Sequence, residues 1–272
     1  MKNTITSFPA LVAYGIVALA ASTHAASSVD PRLVLITPVQ LEEGINQTAI
    51  SSPKQLELLS RAQSSHLAVL AYEQYRQIQD KRPRSAQANL LAGMAAVNDW
   101  EYQTNPSTTQ SPPSPQALNV LKEARLFLSQ AVQLEPNSPR ANMEYGYFLW
   151  QYGYDGRSAN QGFSLIQKAV QLSPNDPAAH VLLGDVCSNP YSYHASHYNA
   201  IRATGEYQLA TTLDPLYASP HWGLVILDSL LGRYPEAKIQ MTDFLSLSPA
   251  NVANEKIVRV LQTGISRGLR KG

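Results

Sequence analysis

The sequence predicts an all-α solenoid, in which helix pairs stack one after another along the chain. Three observations predict this class. Five segments end in the same proline-anchored pattern, small and large residues recur at fixed distances before those prolines, and glycines stand where helices should end. A helix pair of this size cannot bury its apolar face alone, so neighbouring pairs are expected to share one continuous core in a single domain.

The register is visible when residues are counted backwards from each anchoring proline. These prolines are Pro83, Pro136, Pro174, Pro215 and Pro249. Twelve residues earlier lie Ala71, Ala124, Gly162, Ala203 and Ala237, which are all small. Eight residues earlier lie Tyr75, Leu128, Ile166, Tyr207 and Met241, which are all large. Further matches occur five residues before the proline and, as leucine in four cases, two residues before it. These spacings approximate successive turns on one helical face, where small residues permit close approach and large ones fill the gap.

Helix boundaries agree with this register. Ser138 and Asp176 each place a capping side chain directly before a proline that suits the first helical turn. Gly153 and Gly232 lie where the first helix of a pair should end and turn into the second.

The pattern resembles the tetratricopeptide repeat family, whose unit is a helix–turn–helix of 34 residues. Pro215 and Pro249 are 34 residues apart, and GRYPEA at 232–237 is similar to the family's inter-helix turn. The other intervals are longer, with insertions near 102–115, 152–158 and 188–198. The resemblance covers residues 53–268. It implies a right-handed α-solenoid of about five helix pairs, the earliest at 54–63 and 67–81, with a C-terminal capping helix at 252–268.

The first 25 residues have the pattern of a targeting segment. Lys2 precedes an apolar run from Phe8 to Ala21, and small residues stand at Thr23 and Ala25, which is the layout of a secretory signal peptide cleaved after Ala25. The alternative is an uncleaved N-terminal anchor. The expected location is therefore periplasmic or secreted, with no stable membrane span after cleavage. Residues 26–52 are expected to form an N-terminal extension without helical period, either flexible or with a short extended arm near 33–36.

Composition excludes several function classes. The chain has 21 Lys and Arg against 20 Asp and Glu, whereas a nucleic-acid partner would require a clustered basic excess. One cysteine excludes an intramolecular disulfide and a cysteine-based zinc site. The sequence carries no nucleophile-elbow, P-loop, dinucleotide or zinc-protease motif, so no catalysis and no cofactor are expected.

The resemblance also implies which side chains could meet a partner, because the first helix of each pair lines the concave surface in this family. The residues that carry over are Arg140, Met143, Tyr147, Trp150, Gln151, Asp185 and Trp222. Aromatic residues, Met and Arg are enriched at interfaces. The hypothesis is a groove that takes an extended peptide or a partner's helix; the alternative is that these aromatics pack between adjacent repeats. The family's Asn- and Lys-lined clamp for a carboxylate is not matched.

The function expected from these features is a non-catalytic interaction scaffold or adaptor in the cell envelope, whose partner is a protein or peptide. The alternative is an accessory protein for the cell wall or a polysaccharide, because Tyr152, Tyr154, Tyr191, Tyr193 and Tyr198 lie in or beside inserted loops and tyrosine can stack on sugar rings. His194 and His197, like His180 and His221, lack the further ligand that a metal site needs. No metal is expected, and Cys187 is expected to be a buried, inert thiol.

Overall fold

The computed structural model describes residues 36–64, 67–104, 113–153, 155–188, 198–247 and 255–270. Every regular element in these ranges is an α-helix, which confirms the all-α prediction. The helices are α1 (Pro38–Gln47), α2 (Lys54–Ser64), α3 (Ala68–Lys81), α4 (Ala86–Thr104), α5 (Pro115–Leu134), α6 (Pro139–Tyr152), α7 (Gly156–Leu172), α8 (Pro177–Ser188), α9 (Ala200–Leu213), α10 (Ala218–Leu230), α11 (Tyr234–Leu247) and α12 (Glu255–Leu269). The predicted leader at 1–25 and extended arm at 33–36 lie outside the described residues, apart from Ile36.

The chain forms two compact units, an N-terminal unit over residues 28–172 and a C-terminal unit over residues 173–272. In the N-terminal unit, α4 packs closely against α5, and α6 against α7. In the C-terminal unit, α8 packs against α9, and α10 against α11. Each of these partners is consecutive in the chain, which is the pairing that the repeat predicts. One continuous solenoid domain over 53–268 stays a prediction.

The predicted register is the core register. All five small residues twelve positions before the prolines are buried, and so are all five large ones eight positions before. The leucines two positions before the prolines behave differently: Leu134 and Leu172 are 43% and 38% exposed. These leucines are the last residues of α5 and α7. The helical face that buries the earlier positions therefore reaches the surface where the helix ends.

Small residues permit the close helix approach that the register predicts. In the N-terminal unit, a Cβ at Gly146 would lie 2.8 Å from Cγ1 of Ile166 and 2.9 Å from the carbonyl oxygen of Gly162. In the C-terminal unit, Gly184 of α8 and Gly223 of α10 both abut the ring of Tyr207, since a Cβ on either would lie within 2.7 Å of a ring carbon. A bulkier residue at these positions would push helices apart.

Helix ends form as predicted. The Ser138 hydroxyl accepts a hydrogen bond from the Ala141 backbone N–H at 3.3 Å. An Asp176 carboxylate oxygen accepts one from the Ala178 N–H at 3.0 Å. Gly153 caps α6 in an extended conformation, whereas Gly232 follows α10 with φ of +73°, a left-handed conformation that favours glycine.

One helix was not predicted. The sequence pattern indicates no helix within residues 26–48, and this prediction is wrong for α1. Thr37 and Gln40 form a reciprocal capping box at its start. Leu41 and Ile45, one turn apart, are fully buried, so this part of the expected N-terminal extension is packed. Two buried positions in a short helix give too weak a period to be recognised without the cap.

The C-terminal capping helix is present as α12. Leu261 and Ile265 are buried in a core cluster with Met241 and Phe244 of α11. Gly268 lies against the ring of Tyr234. The last helix thereby covers an apolar face of the last helix pair, which is the role of a terminal cap in a repeat protein.

Candidate functional site

The predicted interface residues of the N-terminal unit lie on α6, and most of them are buried. Met143, Tyr147 and Trp150 are at most 5% exposed. Arg140 and Gln151 are half-buried. The Arg140 Nε atom lies 2.7 Å from Oε1 of Glu144, one turn further along the helix. The only one of these side chains that carries a charge is therefore already paired with a carboxylate.

An acidic and aromatic cluster joins α4 to α6, and we call it the Glu101 cluster: Glu101, Glu144, Tyr147, Trp150 and Tyr152. The Tyr152 hydroxyl donates a hydrogen bond of 2.7 Å to Oε1 of Glu101. The Tyr147 ring lies 6.4 Å from the Tyr152 ring, edge to face, and 6.5 Å from the Trp150 ring. Aromatic pairs at such distances prefer these tilted arrangements. The cluster is thus a packed arrangement of rings around a carboxyl.

Burial makes the Glu101 carboxyl a weak acid. Desolvation raises the pKa of Glu101 to about 8, the hydrogen bond from Tyr152 opposes that shift, and the Glu144 charge adds to it. Burial likewise raises the pKa of Asp99, which also lies on α4. The Glu101 carboxyl is therefore held protonated near neutral pH, and a cation brought beside it would favour its ionisation.

The predicted residues of the C-terminal unit have packing partners. Asp185 accepts a hydrogen bond of 2.7 Å from the Tyr207 hydroxyl. Burial raises the pKa of Asp185 to about 7, and the Tyr207 hydrogen bond opposes the shift. Trp222 is 4% exposed and lies in the core cluster, with its ring 4.9 Å from the Phe244 ring. The Trp222 ring is therefore packed within its unit, and its role in an interface stays a prediction.

Both tryptophans among the predicted interface residues, Trp150 and Trp222, have a buried indole N–H without a hydrogen-bond acceptor in the described part of the chain. Buried polar groups usually have a partner, and one without any requires an explanation. Both tryptophans occupy positions that the family resemblance assigns to the concave surface, one in each unit. Whether a groove joins Arg140, Tyr147 and Trp150 to Asp185 and Trp222 stays a prediction.

Several interacting residues were missed from the sequence: Glu101, Glu144, Glu206 and the role of Tyr207. The sequence did contain a recognisable pattern for another set of hydrogen-bonding residues. The residues six positions after Pro83, Pro136, Pro174 and Pro215 are all polar side chains that can donate a hydrogen bond: Asn89, Asn142, His180 and His221. Three of them contact the carbonyl oxygen of their proline at 2.8–2.9 Å. A polar residue repeated at one register position was therefore a recognisable sign of a structural role.

The histidines and the cysteine have ordinary surroundings where they are described. His180 contacts Glu206 and Pro174, and His221 contacts Gln240. The described ranges contain no group of three or more His, Cys, Asp or Glu side chains placed to hold a metal ion. His194, His197, Tyr154, Tyr191 and Tyr193 lie outside those ranges. Cys187 is buried as predicted, and burial raises the pKa of its thiol to about 11.

No helix within the described ranges combines the length and the apolar character that crossing a bilayer requires.

Comparison with known proteins shows the fold. The structure of TTC0263, a thermophilic TPR protein in Thermus thermophilus, matches with a TM-score of 0.56 at 15% identity, covering 79% of this chain and 97% of that one. At such low identity the likeness shows the fold alone. The chain therefore has the tetratricopeptide-repeat fold.

Two further solved structures are more distant. MamA matches with a TM-score of 0.44 at 14% identity, covering 69% of this chain and 92% of that one. YrrB, a TPR protein with an unusual peptide-binding site, matches with a TM-score of 0.43 at 13% identity, covering 79% of this chain and 96% of that one. No protein-family model matches the sequence, and no curated protein matches it.

Proposed function

We propose that this chain, which has the tetratricopeptide-repeat fold, is a non-catalytic interaction scaffold that binds a peptide or a segment of a partner protein. The observation that carries the proposal is the pair of buried indole N–H groups, of Trp150 and Trp222, that lack an acceptor within the described residues. A peptide carbonyl would satisfy such a donor at low cost. Small side-chain rearrangements on binding are common and would open the access that this contact needs.

The Glu101 cluster supports the proposal and defines the partner's chemistry. It places two carboxyls and three aromatic rings on the first helices α4 and α6, where helix packing alone requires only apolar side chains. Aromatic rings are the side chains that most often dominate binding energy at interfaces. Glu144 is paired with Arg140, so the carboxyl that a partner's cation would ionise is that of Glu101. A partner segment with one Lys or Arg beside apolar or aromatic residues would suit it.

The experiment compares partner capture by three tryptophan variants of the full chain. Trp150→Phe and Trp222→Phe keep an aromatic ring and remove the indole N–H, and Trp100→Phe is the matched control in the core of α4. We expect chemical crosslinking in envelope extracts to recover one stoichiometric partner with wild type and with the control. The affinity of that purified partner should fall about tenfold in Trp150→Phe, because a buried donor has lost its acceptor.

The outcomes separate scaffold function from other functions. Equal affinity for all three variants at unchanged thermal stability would show that these indoles do not meet the partner. Recovery of no protein partner, together with fluorescence changes on titration with oligosaccharides, would favour the glycan-binding alternative. For the proposed scaffold, binding should depend only weakly on salt, because short-range aromatic and hydrogen-bonding contacts dominate it.

The proposed place of action is the periplasm or the extracellular space. The support is the leader-like segment 1–25, with its short apolar run and its small residues at the cleavage position. Fractionation of cells that express the full chain tests this, since the mature protein should begin at Ala26. A full-length chain in the cytoplasmic fraction would contradict it.

A further inference from the structure

Three helices, α4, α6 and α8, are each the first of a pair. In each of them, the side chain six residues after the anchoring proline contacts the turn that precedes the helix. In the N-terminal unit this side chain is an amide. The Nδ2 atom of Asn89 donates to the Pro83 carbonyl oxygen at 2.9 Å, and that of Asn142 donates to the Pro136 carbonyl oxygen at 2.9 Å. In the C-terminal unit the same position is His180, whose Nε2 lies 2.8 Å from the Pro174 carbonyl oxygen.

His180 has a second contact, with a carboxylate, that Asn89 and Asn142 do not have. Its Nδ1 atom lies 2.7 Å from Oε2 of Glu206 on α9, and the imidazole is 5% exposed. A carbonyl oxygen can only accept a hydrogen bond. Between imidazole and carboxylate the shared proton belongs to the imidazole, because the carboxyl is the stronger acid. Both ring nitrogens therefore donate, and a histidine with two N–H donors is the charged imidazolium.

We propose that His180 is a protonation-dependent anchor, which in its charged form fastens the start of α8 both to the turn at Pro174 and to α9. Loss of one proton leaves the ring with a single donor between two acceptors. One of the two contacts must then be broken, and the start of α8 loses part of its attachment within the C-terminal unit. In the N-terminal unit, Asn89 and Asn142 make the corresponding attachment without a titratable group.

The charges around His180 favour this assignment. Within its unit, α8 packs against α9 and α10. The titratable and charged groups on these elements and on the preceding turn are Asp176, Asp185, Cys187, Arg202, Glu206, Tyr207, His221 and Asp228. The Arg202 Nε atom lies 3.6 Å from Oε1 of Glu206, so the Glu206 carboxylate bridges Arg202 and His180 through different oxygens.

The direction of the pH effect follows from these contacts. The hydrogen bond with Glu206 raises the pKa of His180, burial opposes the shift, and the Pro174 carbonyl adds to it. A pKa that is raised on folding stabilises the folded state fully below the unfolded value, near 6.5 for histidine, and this contribution is lost as pH rises through the folded value. The C-terminal unit should thus lose stability as pH rises above the ordinary histidine range.

The test measures the titration of His180 directly, by NMR of the imidazole in the full chain, assigned with His180→Asn. We expect a midpoint above the ordinary histidine range and a fall of that midpoint in Glu206→Gln, which keeps an acceptor but removes the charge. His221 is the internal reference, because it occupies the same register position but contacts the neutral amide of Gln240 at 2.8 Å, with a carboxylate oxygen of Asp243 further away at 3.9 Å. A His180 midpoint at or below the ordinary value would overturn the proposal.

A second test of the proposal measures the folding stability of the C-terminal unit as a function of pH. Asp185 is ionisable nearby, so the comparison is made in an Asp185→Asn background. There, each unit by which the His180 pKa is raised should appear as a tenfold change in the unfolding constant of the C-terminal unit between acid and alkaline pH. Adding His180→Asn should remove that change, because asparagine donates to the proline carbonyl at every pH. The same pH dependence with and without His180→Asn would refute the anchor, whereas His221→Asn should leave the dependence in place.

Discussion

The N-terminal and C-terminal units share one register but use different chemistry at matching positions. Eight residues before their prolines, Tyr75 and Tyr207 are both buried. The Tyr75 hydroxyl donates to the neutral amide of Gln55 at 2.7 Å, whereas the Tyr207 hydroxyl donates to the Asp185 carboxyl at 2.7 Å. Six residues after their anchoring prolines, the N-terminal unit has asparagines and the C-terminal unit has histidines.

This comparison shows that the repeat specifies volume and donor placement but leaves the acid–base character open. An amide and an imidazole fulfil the same hydrogen bond to a proline carbonyl. An amide and a carboxyl fulfil the same bond from a buried tyrosine. The folding stability of the C-terminal unit should therefore depend on pH at these positions, while the matching positions of the N-terminal unit should be insensitive to pH.

The largest expected effect comes from truncating the buried tyrosines. Tyr207 is wedged between Gly184 and Gly223, which have no side chains to fill the space that its ring would leave. Tyr207→Ala should lower the free energy of unfolding of the C-terminal unit by about 3–5 kcal/mol, and Tyr75→Ala should lower that of the N-terminal unit by a similar amount. Nearest-neighbour coupling in repeat proteins predicts that the other unit keeps most of its stability.

Urea unfolding followed by tryptophan fluorescence checks this, since Trp222 is in the C-terminal unit and Trp100 and Trp150 are in the N-terminal unit. Variants that retain one tryptophan report each unit separately. In Tyr207→Ala the Trp222 transition should move to lower urea and the Trp100 transition should move little. Equal movement of both transitions would mean that the two units unfold as one.

A smaller effect separates the neutral partner from the ionisable one. Tyr207→Phe and Tyr75→Phe each leave a buried acceptor without its donor, at a cost of about 1–3 kcal/mol. The cost of Tyr75→Phe should be the same at every pH, because Gln55 does not ionise. The cost of Tyr207→Phe should increase with pH, because the ionised Asp185 carboxylate needs the donor more than the neutral acid does.

The direction of this pH dependence follows from the Asp185 carboxyl, whose pKa is raised by burial to about 7. Its contribution to stability is full below the unfolded value, near 4, and is lost as pH rises through about 7. Urea unfolding of both variants at pH 5 and pH 8 measures the difference, with Asp185→Asn as the control that removes it. If the two phenylalanine variants showed the same pH profile, the Tyr207–Asp185 contact would not govern the titration of Asp185.

The fold was predictable because helical periodicity reports directly on which face is buried. Ala124, Leu128 and Ala131 stand at their predicted offsets and are all at most 1% exposed. The partners of buried polar groups were not predictable in the same way. Tyr207 and Asp185 lie on different helices 22 residues apart, and His180 and Glu206 lie 26 apart. No local pattern links such pairs, since their contact depends on how two helices pack.

The burial and the partners of the candidate-site residues were likewise not predictable from the sequence. The resemblance identified Trp150 and Trp222 as positions of interest, but sequence alone left open whether they would be surface or core. Trp222 belongs to a buried core cluster with Phe244, Met241 and Leu261, which lie on two later helices. Glu101 was not recognised because its partner, Tyr152, lies 51 residues away on another first helix. Burial and pairing between distant helices are properties of the packed chain.

The smallest expected effect tests backbone conformation alone, by comparing glycines that have equal space. A Cβ at Gly232, at Gly156 or at Gly205 would meet no neighbouring atom within 4 Å, but among the described glycines only Gly232 has a positive φ, of +73°. Gly232→Ala should therefore cost about 1–2 kcal/mol of folding stability through left-handed strain. Gly205→Ala, within α9, should instead stabilise by about 0.5–1 kcal/mol, because alanine is the better helix former. Gly156→Ala in the N-terminal unit should be near neutral or stabilising.

Thermal and urea unfolding of the three variants measures the difference, and Gly232→Asn should recover part of the loss, since asparagine tolerates this conformation better than alanine. Stabilisation by Gly232→Ala equal to that by Gly205→Ala would show that the turn between α10 and α11 relaxes to a conformation open to any residue.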